Sequence, residues 1–289
     1  MEKKPPNLYD SPFYYDVAFG FRDISKEVDF FEECIRKFSK IKVDEVLDIG
    51  CGPSPYMLEL VKRGYAFTGL DLSSAMLDYS LKKARKAGIK IKTIHADMSS
   101  FKTKEKFDFI FCMLGSISVE SSTDFLSHLN SVVTCLKNGG LYLIDAAIQF
   151  DWSRLGGESW TIIKNGLTVN VTWMVVPANY VEQKIVEKLI VEAIENGKPK
   201  IFKMEKMGKI TFPQEFLKLV EKHGKFEFLG WYNNFDLTQP LSPAISPFFL
   251  FSDRSITCEE TSSDFMWRAM MMVFAFIYII AMMIRKAVK

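Results

Sequence analysis

Between Val46 and Ala147 short apolar runs alternate with amphipathic stretches, a pattern that predicts parallel βαβ units. Val46-Leu47-Asp48-Ile49 reads as a buried strand entering the turn Gly50-Cys51-Gly52. Ser54 before Pro55 suits the cap and first turn of a helix ending at Lys62-Arg63-Gly64. Ala66 to Leu70 is a second strand ending at Asp71, and Ser73 or Ser74 caps a helix that stops at Gly88. Lys90 to His95 and Phe107 to Met113 read as the third and fourth strands. A helix from about Thr123 to Leu136 and a strand from Leu141 to Ala146 complete the series.

Past Ala147 the period shortens to that of exposed strands. Trp160 to Val176 predicts a hairpin turning at Asn165-Gly166, and the stretches Lys184–Ile194 and Ile201–Ile210 flank a second turn at Asn196-Gly197. A helical alternative for Val181 to Glu195 stays open. Pro213 to Lys222 then reads as a helix, with Phe226–Trp231 and Phe248–Phe251 as the last two strands. Residues 1–253 are therefore expected to form one doubly wound α/β domain, with an antiparallel β cap inserted at about 148–211.

Residues 254–264 read as a polar linker and 265–289 as an apolar helix. From Ala269 to Ile284 sixteen consecutive residues are apolar, and counting from Phe265 gives twenty if Arg268 snorkels. The run is apolar on every face, which disfavours an interfacial helix. A membrane anchor is expected, with docking of this helix on protein as the alternative. The expected location is membrane-associated, with the catalytic domain in the cytoplasm.

Composition narrows the chemistry. The formal net charge of +2 and the absence of a basic run argue against nucleic acid as a partner. Five scattered cysteines offer no zinc or redox spacing, so no metal site is expected. The N-terminus lacks the apolar core of a secretory signal.

A parallel sheet binds ligands beyond the carboxyl ends of its strands, and four features fall there. Gly50 and Gly52 after Asp48 let the backbone approach a ligand closely. Asp71 is placed to accept both ribose hydroxyls of an adenosine, Asp97 to hold an adenine amino group, and Met98 to pack on its ring. Cys112, near the end of the fourth strand, lies beside the expected reacting centre. The run lacks the third glycine of a dinucleotide fingerprint, and Asp48 would sit close to a pyrophosphate, which weighs against a nicotinamide cofactor.

The segments VLDIGCGPSPYMLELVKRGYAFTGLDLSSAMLDYS, HADMSSF, FDFIFCMLGSI and LKNGGLYLID resemble, in order and spacing, the motifs of class I S-adenosylmethionine-dependent methyltransferases. The chain looks most similar to small-molecule N-methyltransferases acting on amino sugars and simple amines. The resemblance implies a Rossmann-like, seven-stranded, mostly parallel sheet whose last strand is antiparallel, and S-adenosyl-L-methionine as cofactor. It implies that Tyr14-Tyr15-Asp16 fold over the cofactor and that Leu72 and Met76 join Asp71 in lining it, while Arg22, a little beyond, reads either as the cation for the cofactor carboxylate or as a solvated helix-face charge.

Methyl transfer needs alignment more than a base, so no catalytic residue is assigned. Asp145 reads either as an amine-attracting group or as a strand-end cap. His95 reads as a strand terminus, and His128 and His223 as surface or capping residues. Trp152, Trp160 and Tyr180 either line an acceptor pocket or fill core. The expected acceptor is a small molecule or a lipid-linked amine, and a homodimer stays open. A catalytically silent, cofactor-binding assembly subunit is the alternative function.

Overall fold

The computed structural model describes residues 6–117, 119–145, 155–233, 235–240, 257–258 and 280–286. A 3-10 turn at Leu8–Asp10 precedes α1 (Pro12–Ala18) and α2 (Ile24–Phe38). The βα series follows as β1 (Glu45–Ile49), α3 (Met57–Lys62), β2 (Ala66–Asp71), α4 (Ser74–Lys86) and β3 (Lys92–His95). It continues through β4 (Phe107–Cys112), α5 (Ser122–Cys135) and β5 (Leu136–Asp145).

Four long strands come next: β6 (Gly157–Lys164), β7 (Leu167–Asn179), β8 (Lys184–Glu195) and β9 (Lys198–Lys209). Then come α6 (Pro213–His223), β10 (Phe226–Asn233), β11 (Asp236–Pro240), β12 (Thr257–Cys258) and β13 (Ile280–Lys286).

The main sheet runs β3-β2-β1-β4-β5-β13-β10-β11. Strands β1 to β5 pair in parallel, whereas β13 lies antiparallel between β5 and β10. Each face of this sheet is buried under helices. Leu47, Ile110, Tyr142 and Ile144 pack with Phe125 and Leu129 of α5 and Phe216 of α6. On the other face Val46, Phe109, Phe111 and Leu143 pack with Val28 and Phe31 of α2 and Leu60 of α3. Strands covered on both sides become continuously apolar, and FDFIFC in β4 is buried at every position.

The inserted cap is present as expected, and strand wins over helix for Val181 to Glu195: β8 pairs along its whole length with β7 and β9. Both hairpins turn on Asn-Gly, with φ of +51° and +77° at Asn165 and Gly166 and +51° and +74° at Asn196 and Gly197. Positive φ at both positions is the turn whose twist matches the flanking strands. The cap buries Val169, Val171, Val191 and Phe202 against Leu8, Val17 and Ala18 of the N-terminal segment.

The C-terminal expectation needs correction. Residues 280–286, expected within an apolar helix, form β13 inside the main sheet, between β10 and β5. An interior strand of a sheet covered by helices can read as continuously apolar as a membrane helix does, so periodicity cannot separate them. Among the described residues no helix is long and apolar enough to cross a membrane. Residues 265–279 of the expected anchor, most of the linker, and the strand expected at Phe248–Phe251 lie outside the described residues. A smaller correction concerns Ser54: α3 starts only at Met57, and the Ser54 backbone is left-handed with φ +51°.

Candidate active site

Because β1, β2, β4 and β5 are parallel neighbours, their carboxyl ends bring the turn after Ile49, Asp71, Met113 and Asp145 to one edge. The turn is tied down by its own backbone, with the amides of Gly50 and Cys51 both donating to the Leu70 carbonyl at 2.8 and 3.0 Å. Gly50 has φ +69°, and a Cβ there would sit 3.0 Å from both Met98 Cε and Ser116 Cβ. Glycine is therefore favoured by its conformation, and a Cβ would also have to displace these two side chains by a few tenths of an ångström. Over Gly52 the space is open, since a Cβ there would meet only Tyr15 Cε1 at 3.9 Å.

Asp71 holds the two sides of this cradle together. Its Oδ2 accepts from the Gly52 amide and its Oδ1 from the Ser73 amide, each at 2.8 Å. Ser73 in turn caps α4 through the Met76 amide at 3.3 Å, as one of the two expected caps. The Met76 side chain is buried, and Leu72 is exposed.

The N-terminal segment closes the cradle from above. Tyr15 lines the cleft beside Gly50, Gly52 and Asp48, and burial pushes its phenol well above the ordinary range. Tyr14 points the other way, its ring 5.3 Å from Phe202 of the cap. Asp16 accepts from Lys83 Nζ at 3.0 Å and from Tyr79 at 3.1 Å, which fastens α1 to α4.

Arg22 reaches the same cleft with its guanidinium stacked 5.0 Å over the Tyr56 ring. It pairs with Glu27, donates to the Tyr56 hydroxyl, and Tyr56 donates to Glu27 at 2.5 Å. Glu27 and Tyr56 are buried, and nothing in their spacing marks them in the sequence.

Two further carboxyls are buried here, each with an unpartnered oxygen: Asp48 through Oδ2 and Asp145 through Oδ1. Burial pushes the Asp48 carboxyl well up, against the pull of Arg22, and Asp71 adds to the rise. Asp145 accepts the Leu114 amide at 2.9 Å, and this pins a leucine whose φ is +56°. A left-handed leucine costs about 1–2 kcal/mol, which the Asp145 hydrogen bond helps to offset.

Burial raises Asp145 to about 7, opposed by Arg22 and the Leu114 amide. Its ordinary value is 3.8, so the folded protein holds this proton more tightly than the unfolded chain. Stability is then greatest below about pH 4 for this group and falls as pH rises through about 7. Thermal melting at pH 5 and pH 8 is expected to show a drop in Tm that Asp145→Asn reduces. An equal drop in the variant would contradict this assignment.

At the third strand Asp97 is exposed, and its Oδ1 accepts from the Ser99 amide at 2.8 Å and the Ser99 hydroxyl at 2.7 Å. The Met98 carbonyl accepts from His128 Nδ1 at 2.8 Å, and His128 Nε2 accepts from the Tyr142 hydroxyl at 2.6 Å. A carbonyl cannot donate, so Nδ1 carries a proton, and burial keeps the ring neutral. Burial lowers His128 to about 4, in keeping with that state. His128, expected at the surface, is fully buried and braces the loop that carries Met98. His223 lies at the end of α6, its Nε2 3.0 Å from Asn130 Oδ1.

Cys112, expected beside the reacting centre, is buried in the core with Leu47 and Tyr142. Its neighbours Met113 and Leu114 line the cleft. His95 does end its strand, with Nε2 2.8 Å from the Leu72 carbonyl. Trp160 donates to the Ala18 carbonyl at 2.8 Å, Tyr180 is exposed, and Trp152 lies outside the described residues. Among the described residues no group of acidic, histidine and cysteine side chains is arranged to hold a metal.

Residues 46–140 match the methyltransferase domain family. A putative methyltransferase of Geobacillus sp. is 26% identical over 167 residues, 57% of this chain and 67% of that protein. A ubiquinone biosynthesis O-methyltransferase of Rickettsia canadensis is 24% identical over 113 residues, 39% of this chain and 47% of that one. The match thus spans about half the length of the latter relative.

Among solved structures, an S-adenosylmethionine-dependent methyltransferase from Clostridium acetobutylicum covers 98% of this chain and 100% of its own, with TM-score 0.71 at 20% identity. A sugar N-methyltransferase from Streptoalloteichus sp. covers 79% and 89%, with TM-score 0.63 at 18% identity. At these identities the likeness to solved structures is one of fold. Residues 46–140 thus carry a methyltransferase domain, and the sheet order around the glycine cradle and Asp71 is the fold of S-adenosylmethionine-dependent methyltransferases.

Proposed function

We propose that the protein transfers a methyl group from S-adenosylmethionine to the nitrogen of a small-molecule amine. The observation that carries this reading is the charge balance of the cleft, where Glu27, Asp48 and Asp145 are buried around the Arg22 guanidinium. Such an excess of carboxyls suits a cofactor end that carries an ammonium and a sulfonium against one carboxylate. A nicotinamide dinucleotide would instead bring a pyrophosphate into a carboxyl-rich cleft whose Arg22 is already paired with Glu27.

In this reading Arg22 holds the cofactor carboxylate, Asp48 its ammonium and Asp71 the ribose hydroxyls. When bound, the cofactor supplies a methyl group on a leaving group that needs no acid assistance. The chain aligns the acceptor and keeps water out, with Tyr15 and the N-terminal segment as the cover. The unpartnered Oδ1 of Asp145 supports attraction of an amine to the strand edge. The sugar N-methyltransferase of similar fold supports nitrogen as the accepting atom. A lipid-linked acceptor would follow from a membrane-bound tail, and residues 280–286 of that tail are a strand.

The test uses the full chain with methyl-labelled cofactor and a panel of amines, alcohols, phenols and thiols. Label is expected in the amines, with stoichiometric release of S-adenosylhomocysteine. Label confined to alcohols, phenols or thiols would overturn nitrogen as the acceptor. Cofactor binding without transfer to any member would favour a silent assembly subunit.

A further inference from the structure

The inner face of the cap sheet is apolar at one end and polar at the other. Strand residues two apart share a face, so the buried Leu189 and Val191 place Glu187 on the inner side of β8. By the same count the buried Phe202 places Lys206 on the inner side of β9. Trp173 and Trp160 both pack on the cap core, and Trp160 fixes Glu158 on the inner side of β6. Cross-strand register puts Glu158 opposite Trp173 and Glu187 opposite Lys206. Trp173 Nε1 donates to Glu187 Oε1 at 2.6 Å, which joins these residues into one stripe across four strands.

The stripe faces the cofactor cradle. Tyr15 packs on the cap core, as Trp173 does, and lines the cofactor cleft beside Gly50 and Gly52, so it stands between cap and cradle. Lys206 lies on β9, whose Lys209 amide donates at 3.0 Å to the carbonyl of Val119 in the segment between β4 and α5. Asp145, at the end of β5 beside β4, keeps a buried, unpartnered oxygen. Polar groups on a half-buried sheet face cost stability unless something pairs with them. Among the described residues Glu158 has no such partner, and burial raises its carboxyl to about 7. Neither Glu158 nor Lys206 makes an ion pair there among the described residues, whereas on the outer face Lys188 and Glu205 pair at 3.0 Å.

We propose that Glu158, Trp173, Glu187 and Lys206 form the acceptor subsite: its carboxylates against one lysine draw in a small amine as the ammonium, which yields an N–H proton to Glu158 before its lone pair takes the methyl group. The inference rests on the methyltransferase reading and deepens it. Trp173 holds Glu187 in place while its ring offers a face to the ligand cation. Lys206 limits how much positive charge the ligand carries, and so acts against polycations.

The experiment follows the Trp173 indole resonance, assigned with Trp173→Phe, in the full chain saturated with S-adenosylhomocysteine. Ethanolamine and glucosamine are the probes, with ethylene glycol and glucose as their neutral counterparts. The amines are expected to shift this resonance and the neutral compounds to leave it in place. Glu187→Gln is expected to weaken amine binding about tenfold or more. Lys206→Met is expected to tighten it several-fold, since a repelling charge is removed. A merely structural stripe would weaken binding in both variants or in neither, and either result would overturn the proposal. So would equal shifts from amines and neutral compounds, or no shift from any amine. Failure to bind S-adenosylhomocysteine would instead strike the methyltransferase reading, and this inference with it.

Discussion

Replacing Asp71 by alanine is expected to abolish measurable cofactor binding. The carboxylate already accepts one backbone amide on each oxygen, from Gly52 and Ser73 at 2.8 Å, and keeps lone pairs for two ribose hydroxyls. Hydrogen bonds to a charged acceptor contribute about 1.5–3 kcal/mol each. Losing two corresponds to a fall in affinity on the order of 100-fold or more. Asp71→Ala also frees the Gly52 amide and the start of α4, so Tm should drop by several degrees. Asp71→Asn separates the effects: it keeps the volume but turns an NH2 group toward one amide donor. Calorimetric titration of the full chain with S-adenosylmethionine and S-adenosylhomocysteine reads the loss for both ligands. A change below about threefold in a folded Asp71→Ala protein would remove Asp71 from the cofactor site.

That prediction was legible in the sequence because strand ends and turns obey local rules. Asp71 is the residue on which β2 ends, and the parallel pairing of β1 with β2 then sets it beside the glycine turn. The two Asn-Gly hairpins were legible for the same reason, since two positive-φ residues dictate the turn. What depends on tertiary contact was not legible. His128 sits on a helix that shows polar residues on several sides, and only packing against Met98 and Tyr142 makes it a buried brace. The Arg22–Glu27–Tyr56 cluster joins residues whose spacing follows no motif. Tyr14 and Tyr15 are adjacent, and only the docking of α1 under the cap sends one to Phe202 and the other to the cradle. The stripe on the cap was hidden because its members lie on four strands, and alternation reports a face without saying what the face meets.

The largest expected effect on folding comes from the segment that sequence alone places in a membrane. A chain ending at residue 279 lacks β13, and with it the pairing from Ala281–Asp145 to Arg285–Leu141 and from Ile280–Asn233 to Lys286–Phe226. The sheet would be left with β5 and β10 apart and two apolar edges open to water. The two basic residues that look like a membrane flank are structural as well. Arg285 is buried, donating to the Phe38 carbonyl at 3.1 Å and pairing with Glu227. Lys286 donates to the carbonyls of Val133 and Leu136 at 2.9 Å, where α5 ends with unpaired acceptors and a negative dipole end. Domains of this size have only about 5–15 kcal/mol of net stability, less than the loss of an interior strand removes. The shortened chain is therefore expected to aggregate or to melt without a cooperative transition, with no cofactor binding. Arg285→Ala alone should lower stability by about 2–4 kcal/mol, because it strands the Phe38 carbonyl as well as breaking the pair with Glu227. A membrane tether predicts the opposite for the deletion: a soluble, folded catalytic domain that binds cofactor as the full chain does. Chemical denaturation of the two proteins in parallel decides between these outcomes. A well-folded shortened chain would take β13 out of the sheet and return the apolar run to a role outside it.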